Sequence, residues 1–486
     1  MTPSPFANEC TEMDDPNSKQ KQISECSSDA ESDQVSTSSP TFETSSEITL
    51  FGRDLLPCLS NKVKHQLRLR VRQVFSLVLL SSAYAATYLL RKPFGVIKSE
   101  LKEEFGLELN LLGWLEFTMF LPYSFISLGF WKIGIRLGSR LTLGFGLLSA
   151  AAFTALIGTV QSMWFMFVLF FVTGAAQALC WPASCTLLAA WFSTQIRNTV
   201  VGIFGSTYFF GGVSGSFLVI YLNQTYQWRG VFLWPALLVA FRGVLVLMMA
   251  RKPAYHGIIV PGQEEDPDHH TIDEKQHDKL LKDIWDIPLV PEISLSLLFI
   301  KTVRYAVMMW FPLYLQETQG FSLKEAGLIT VSFEVGGIVG SIGLGILLDT
   351  LLKGNSLLVC SIIVGISGII LSVLSIVIDF GAMVQIICLS LAGAFICGSG
   401  LVLGGAAINK IINSNGSKYS VLSVINGVGS LGMLMEGPLM SYTILFLGYS
   451  YIIPILSAFS IVGSICIYRA HSVYTKNNRY NRVVDV

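Results

Sequence analysis

The sequence predicts an all-α membrane protein with twelve transmembrane helices in two six-helix halves. Three observations predict it. Of 486 residues, 52% are hydrophobic and only 14% charged, whereas a soluble globular chain carries roughly 25% charge. Apolar runs of spanning length follow one another from about residue 74 to 470 with short polar breaks. The longest break, 251–290, holds Glu264, Glu265, Asp266 and Asp268 and leaves six runs on each side.

Residues 1–52 form an acidic tail rich in Ser and Thr, whose first 50 residues contain only Lys19 and Lys21 as basic residues. Such a stretch buries too little apolar surface to fold, so a disordered cytosolic tail is expected. Residues 53–73 turn basic, with Arg53, Lys62, Lys64, Arg68, Arg70 and Arg72, and read as a cytosolic juxtamembrane segment. A span needs about 20 apolar residues. Runs of that length lie near 74–98, 109–133, 141–160, 163–189, 198–222 and 229–250 in an N-terminal half (74–250). After the central loop (251–290), further runs lie near 291–316, 323–349, 356–379, 382–411, 419–446 and 449–470 in a C-terminal half (291–470). Residues 471–486 are left as a short tail.

Lys and Arg set orientation. With a cytosolic N-terminus, the inner loops hold twelve (Lys132, Arg136, Arg140, Arg197, Arg251, Lys252, Lys275, Lys279, Lys282, Lys353, Lys410, Lys418). The outer loops then hold four: Lys98, Lys102, Arg229 and Lys324. Both termini are therefore expected in the cytosol. The opening MTPSPFANEC has no basic region before an apolar stretch, so no cleaved signal is expected. Basic and acidic residues balance at 33 each, which gives nucleic acid no bulk charge to meet. The nine scattered Cys form no C-x-x-C pair and read as small core residues.

Charges inside a bilayer cost at least about 2.5–3.5 kcal/mol each and call for a reason. Arg91 and Lys92 lie in the first helix of one half, Lys301 and Arg304 in the first helix of the other. Pseudo-symmetry brings both to one central cavity. Ser81, Tyr84, Tyr88 and Arg91, spaced i, i+3, i+7 and i+10, share a helical face, and so do Lys301 and Arg304. A cationic cavity rimmed by aromatic rings follows. The planar fork of Arg matches paired phosphate oxygens, so two Arg from opposite halves can grip a phosphoryl dianion. The competing reading has these cations snorkel or pair with Glu116, Glu334 or Glu436. For Glu116 and Glu436, charge compensation of nearby cations, including Arg242, is expected ahead of proton coupling.

Six plus six helices around a polar loop resembles the major facilitator superfamily. The run Trp131 to Arg140 resembles its G-x-x-x-D-R-x-G-x-R loop, keeping Arg136, Gly138 and Arg140 and losing the first Gly and the Asp. The equivalent place in the second half keeps Gly345 and Asp349. Tyr88-Leu-Leu-Arg91-Lys92-Pro93 through Leu101 resembles helix 1 of the eukaryotic sugar-phosphate exchangers, in the organophosphate:phosphate antiporter family. Arg304-Tyr305 through Leu315 resembles their helix 7, and Lys324-Glu325-Ala326-Gly327 with Phe333-Glu334-Val335-Gly336-Gly337 their helix 8. Trp181-Pro182 and Trp191-Phe192 resemble helix 4 and its end.

The resemblance implies alternating-access exchange of a sugar phosphate or glycerol phosphate for inorganic phosphate. Arg91 and Arg304 would bind the phosphoryl group. Lys301, Lys92, Tyr84, Tyr88, Trp181 and Tyr208 would line the site, with Glu334 and Glu116 in coupling or charge compensation. It also implies the endoplasmic reticulum membrane, with the plasma membrane or another organelle as the alternative. A monomer is expected, with no enzyme activity and no cofactor. Two departures stand out. The run Phe204-Gly205-Ser206-Thr207-Tyr208 lacks the family's W-N motif and following His, with Tyr208 in the His position. Gly404-Gly405-Ala406 stands where the relatives carry G-P-Y. A carrier for another organic anion, or a non-transporting sensor or scaffold retaining the fold, is the alternative.

Other motifs read as structural. His269, His270 and His277 lie in an acidic loop without Cys and read as solvated, so no metal site is expected. Gly427-Val-Gly429-Ser430-Leu-Gly432 follows no strand and reads as close helix packing. Asn223-Gln-Thr225 is a glycosylation acceptor on the outer side, close to the membrane, while Asn415-Gly-Ser417 falls inside.

Overall fold

A computed structural model describes residues 61–129, 137–193, 197–258, 260, 284–350, 356–404 and 418–484. The chain divides into residues 1–64 and 65–486, and apart from the first four residues of the first helix everything below concerns the second unit. The sequence features of the acidic tail, Trp131 to Arg136, the central-loop histidines, Gly405-Ala406 and Asn415 lie outside the described residues.

Thirteen α-helices are described. The N-terminal half holds α1 (Asn61–Val96), α2 (Lys98–Phe105), α3 (Leu109–Gly129), α4 (Ser139–Ile157), α5 (Met163–Ala178), α6 (Cys180–Trp191) and α7 (Arg197–Met249). The C-terminal half holds α8 (Val290–Gln319), α9 (Leu323–Thr350), α10 (Ser356–Val377), α11 (Ala382–Gly404), α12 (Lys418–Leu447) and α13 (Ile452–Val484). Among the described residues, eleven continuous helical stretches are long and apolar enough to cross a membrane. One of them, 203–249, is 47 residues, about 70 Å at 1.5 Å per residue and more than twice a hydrocarbon core of about 30 Å. Gln227 breaks it, with φ 59° and ψ −177°. The two arms of α7 are two crossings, so twelve spans result. Helices α5 and α6 form one span interrupted at Leu179, and α2 is a short helix after the first span.

The first and last helices run past the apolar stretches. Helix α1 starts at Asn61, inside the basic segment, and α13 continues to Val484 through residues expected to form the tail. Hydropathy marks where lipid begins, while helical hydrogen bonding continues beyond it.

Helices approach closely where Gly removes the side chain, as expected without a hydrophobic drive between helices in lipid. Gly174 of α5 lies against the Met119 carbonyl of α3, and Gly393 of α11 against the Phe333 carbonyl of α9. These are the same places in the two halves. The Gly-rich run of α12 is packing as well. Gly427 meets Leu128 and Gly432 meets the Leu298 carbonyl. No disulfide joins the described cysteines.

Two of the seams between the halves are formed by helices other than α1. Helix α3 packs on α12, where Ser124 Oγ donates to the Ser430 carbonyl at 2.9 Å. The first arm of α7 packs on α9, with Gly327 against Ile220 and Gly337 against Phe209. At the end where α1 finishes, Ser99 Oγ donates to Gln316 Oε1 at 2.9 Å and Lys102 pairs with Glu317 at 2.6 Å.

Candidate functional site

Helices α1 and α8 lie side by side at the centre, and each contributes a buried arginine. Arg91 donates from Nε to Gln177 Oε1 of α5 at 2.7 Å and from Nη1 to the Tyr305 hydroxyl of α8 at 3.1 Å. Its guanidinium carbon lies 5.0 Å from the Tyr88 ring centroid and 4.8 Å from that of Tyr123. Arg304 approaches Tyr88 as well, at 5.7 Å, and packs over Tyr208 at 4.0 Å and Phe209 at 4.8 Å. The two hydroxyls of Tyr88 and Tyr305 are 3.3 Å apart. Both arginines therefore converge on the same two tyrosines, one from each half.

Among the described residues neither guanidinium takes part in an ion pair, and Arg304 Nη2 has no hydrogen-bond partner despite burial. Two buried cations surrounded by neutral rings and hydroxyls form an environment that an anion completes. Aromatic faces offset part of the charge.

The lysines are placed differently. Lys92, one residue from Arg91, turns to α9 and lies 3.0 Å from Glu334 Oε2, both almost fully buried. Among the described residues neither Glu334 oxygen receives an aligned hydrogen bond, so this is an ion contact without hydrogen-bond geometry. Gly212 of α7 leaves room for that carboxylate, since a methyl group there would overlap it. Lys301 points to α12, donating to Asn426 Oδ1 at 2.8 Å, the Asn426 carbonyl at 3.2 Å and Ser430 Oγ at 3.3 Å. Arg304 instead packs over Tyr208 and Phe209 of α7, so the two cations part despite their common helical face.

Tyr84, Trp181 and Phe204 stack into a cluster beneath Tyr88. The Tyr84 and Trp181 centroids are 4.9 Å apart, and those of Trp181 and Phe204 5.0 Å. Tyr208 stacks on Tyr88 at 5.8 Å. Trp181 thus reaches the arginines through Tyr84 and Tyr88.

Glu116 lies elsewhere. Its Oε1 is 2.7 Å from Lys98 Nζ, and its Oε2 accepts from Trp310 Nε1 at 2.6 Å. Its cation is Lys98 and not Arg242. Lys98 itself, counted above with the outer loops, is fully buried. The chain turns from α1 into α2 at that point and tucks the ammonium under Trp310, 3.4 Å from its ring centroid.

Two contributors escaped the sequence reading as site residues. Gln177 is a lone amide in the apolar run of α5, a signal that intramembrane polarity offers. Tyr305 adjoins Arg304 and falls outside a face drawn by i+3 spacing. Asn223, the outer-side acceptor, donates from Nδ2 to Glu100 Oε1 at 2.6 Å, which engages the atom that a glycan would take.

The twelve spans and the paired first helices define a multi-pass membrane transporter. Residues 80–435 match the family model of the Major Facilitator Superfamily, and the chain belongs to that superfamily, whose members are transporters and not enzymes. It is similar to "Glucose-6-phosphate exchanger SLC37A2" of Homo sapiens, 26% identical over 462 residues covering 81% of this chain and 91% of that protein. With "Glucose-6-phosphate exchanger SLC37A1" of Mus musculus it is 28% identical over 401 residues, covering 70% and 74%. Its fold is that of a bacterial homologue of the human lysosomal transporter Spinster, whose crystal structure aligns with a TM-score of 0.58 at 14% identity over 84% of this chain and 97% of that one.

Proposed function

We propose that the protein exchanges a phosphorylated metabolite, a sugar phosphate or glycerol phosphate, for inorganic phosphate by alternating access. One observation carries this reading. Arg91 and Arg304 come from opposite halves, are buried, converge on Tyr88 and Tyr305, and have no carboxylate partner among the described residues. A phosphoryl dianion supplies the missing charge and takes paired hydrogen bonds from each fork. Lys301 adds a third cation nearby on α8, held by neutral acceptors. Tyr88, Tyr208 and Tyr305 add hydroxyls. Tyr84 and Trp181 supply the apolar wall for the organic moiety. The names of the similar exchangers agree with this substrate class.

Lys92 and Glu334 neutralise each other in the structure. In this reading Glu334 releases Lys92 when an anion arrives, which couples loading to movement of α1 against α9. Both termini face the cytosol, and the protein resides in the endoplasmic reticulum membrane. The rebuilt helix 5 run ending at Tyr208 favours a second reading in which another organic anion replaces the sugar phosphate on the same arginines. The test is purified full-length protein in phosphate-loaded vesicles, offered labelled phosphate with candidate organophosphates and other organic anions as competitors. Exchange of labelled phosphate inhibited by a sugar phosphate or glycerol phosphate is expected. Inhibition by neither, with exchange of another anion, selects the second reading.

A further inference from the structure

A second buried charge cluster lies away from the arginines. Lys98 of α2 and Glu116 of α3 belong to the N-terminal half, and Trp310 of α8 and Glu436 of α12 to the C-terminal half. Lys98, Glu116 and Glu436 each have no exposed surface. Among the described residues, the charged groups that face Glu436 are Lys98 and Glu116, and those that face Lys98 are Glu116 and Glu436. Residue 437 sits against Glu116, since a methyl group on Gly437 would come within 3.0 Å of Glu116 Oε2.

Donors and charges do not balance. The Trp310 indole donates to Glu116, and Lys98 lies against the same carboxylate as an ion contact without hydrogen-bond geometry. Among the described residues neither oxygen of Glu436 has a hydrogen-bond partner. Two carboxylates against one ammonium leave a net negative charge walled by the rings of Phe94 and Trp310. An uncompensated ion in such a place costs several kcal/mol. Two carboxylates in one site cannot both stay ionised at that cost, and the usual resolution is a proton held between them. One proton supplies both missing things: the donor between Glu116 and Glu436, and the positive charge that brings the cluster to neutrality.

We propose that Glu116 and Glu436 form a proton-binding site across the seam between the two halves, holding one shared proton when α3 and α12 are packed together. The proton belongs to the pair and not to either residue. Its consequence follows from linkage. Separation of α3 from α12 at this end admits water to both carboxylates, which then ionise. The closed seam therefore binds one proton more than the open one, so acid favours closure and base favours opening. Transport becomes sensitive to pH through a site that touches no substrate, whatever anion the arginines carry.

Infrared spectroscopy of the purified full-length protein at neutral pH tests this without transport. A protonated carboxyl group has a C=O stretch separate from ionised carboxylates. The wild type is expected to show that band, and Glu436→Gln and Glu116→Gln each to lose it, because the remaining carboxylate ionises against Lys98. Gln keeps the shape and supplies a donor. A wild-type spectrum without the band overturns the proposal even if neither variant folds. A band surviving in both variants overturns it too, and loss in only one variant overturns the sharing.

Discussion

Lys92 and Glu334 form a buried ion pair, 3.0 Å between Nζ and Oε2, that ties the first helix of one half to the second helix of the other. Removing one partner of such a pair typically costs about 3–5 kcal/mol, because the other charge stays buried alone. Glu334→Gln should destabilise the protein by about that amount in detergent unfolding and should alter phosphate affinity or stall exchange. Gly212→Ala should weaken the same contact, since its methyl group meets the Glu334 carboxylate. A Glu334→Gln protein matching wild type in stability, affinity and rate would leave the pair without a role.

Arg91 and Arg304 should not tolerate lysine. The ammonium keeps the charge but loses the planar fork, and with it the paired hydrogen bonds to one phosphoryl group. Arg91→Lys and Arg304→Lys should each abolish most phosphate exchange while the protein still inserts and folds. Near-normal exchange by either variant removes that residue from the binding site.

Tyr305 holds Arg91 in place across the halves, accepting from Nη1 at 3.1 Å. Tyr305→Phe removes one hydrogen bond to a charged group, worth about 1.5–3 kcal/mol. Phosphate affinity should fall by roughly tenfold or more while protein yield stays unchanged. An unaltered affinity shows that Arg91 is positioned by Gln177 and its aromatic neighbours alone.

The spans were legible because a crossing helix needs about 20 apolar residues, and the polar interval from Gln224 to Arg229 separated the two arms of α7 even though helix continues almost through it. The true ends of α1 and α13 were not, since their basic extensions carry no apolar signal. In the site, Arg91 and Arg304 stood out as charges where charge is costly. Their partners did not, because contacts such as Arg91 with Gln177 join residues 86 positions apart. Lys98 shows the same limit. Its sequence position at the end of an apolar run suggests solvent, and only the turn into α2 and the cover of Trp310 bury it.

In the proposed orientation, with Lys and Arg concentrated on the inner side of twelve spans, both termini face the cytosol. Epitope tags before Met1, after Val486 and near Gln263 should all be protected from protease added on the lumenal side. Cleavage of any of the three from the lumen reverses the orientation.

Transport should be obligate exchange. Arg91 and Arg304 are buried and have no ion-pair partner among the described residues. Two unit charges about 10 Å apart at an effective dielectric of about 20 repel by roughly 1.7 kcal/mol. Lys301 adds to that repulsion, whereas Lys92 is neutralised by Glu334. Closing the halves around the empty site also strips water from the guanidinium groups, at several kcal/mol per ion. A bound phosphoryl group cancels the repulsion and replaces the lost hydrogen bonds. The loaded carrier therefore passes through the occluded state readily, and the empty one rarely. An anion must then ride in each direction, and a phosphate gradient drives the other substrate uphill. Efflux of labelled phosphate from vesicles should be fast into medium containing phosphate and slow into medium without it. Equal rates in the two media would show that the empty carrier reorients freely, and that the charge of the arginine pair does not gate the cycle.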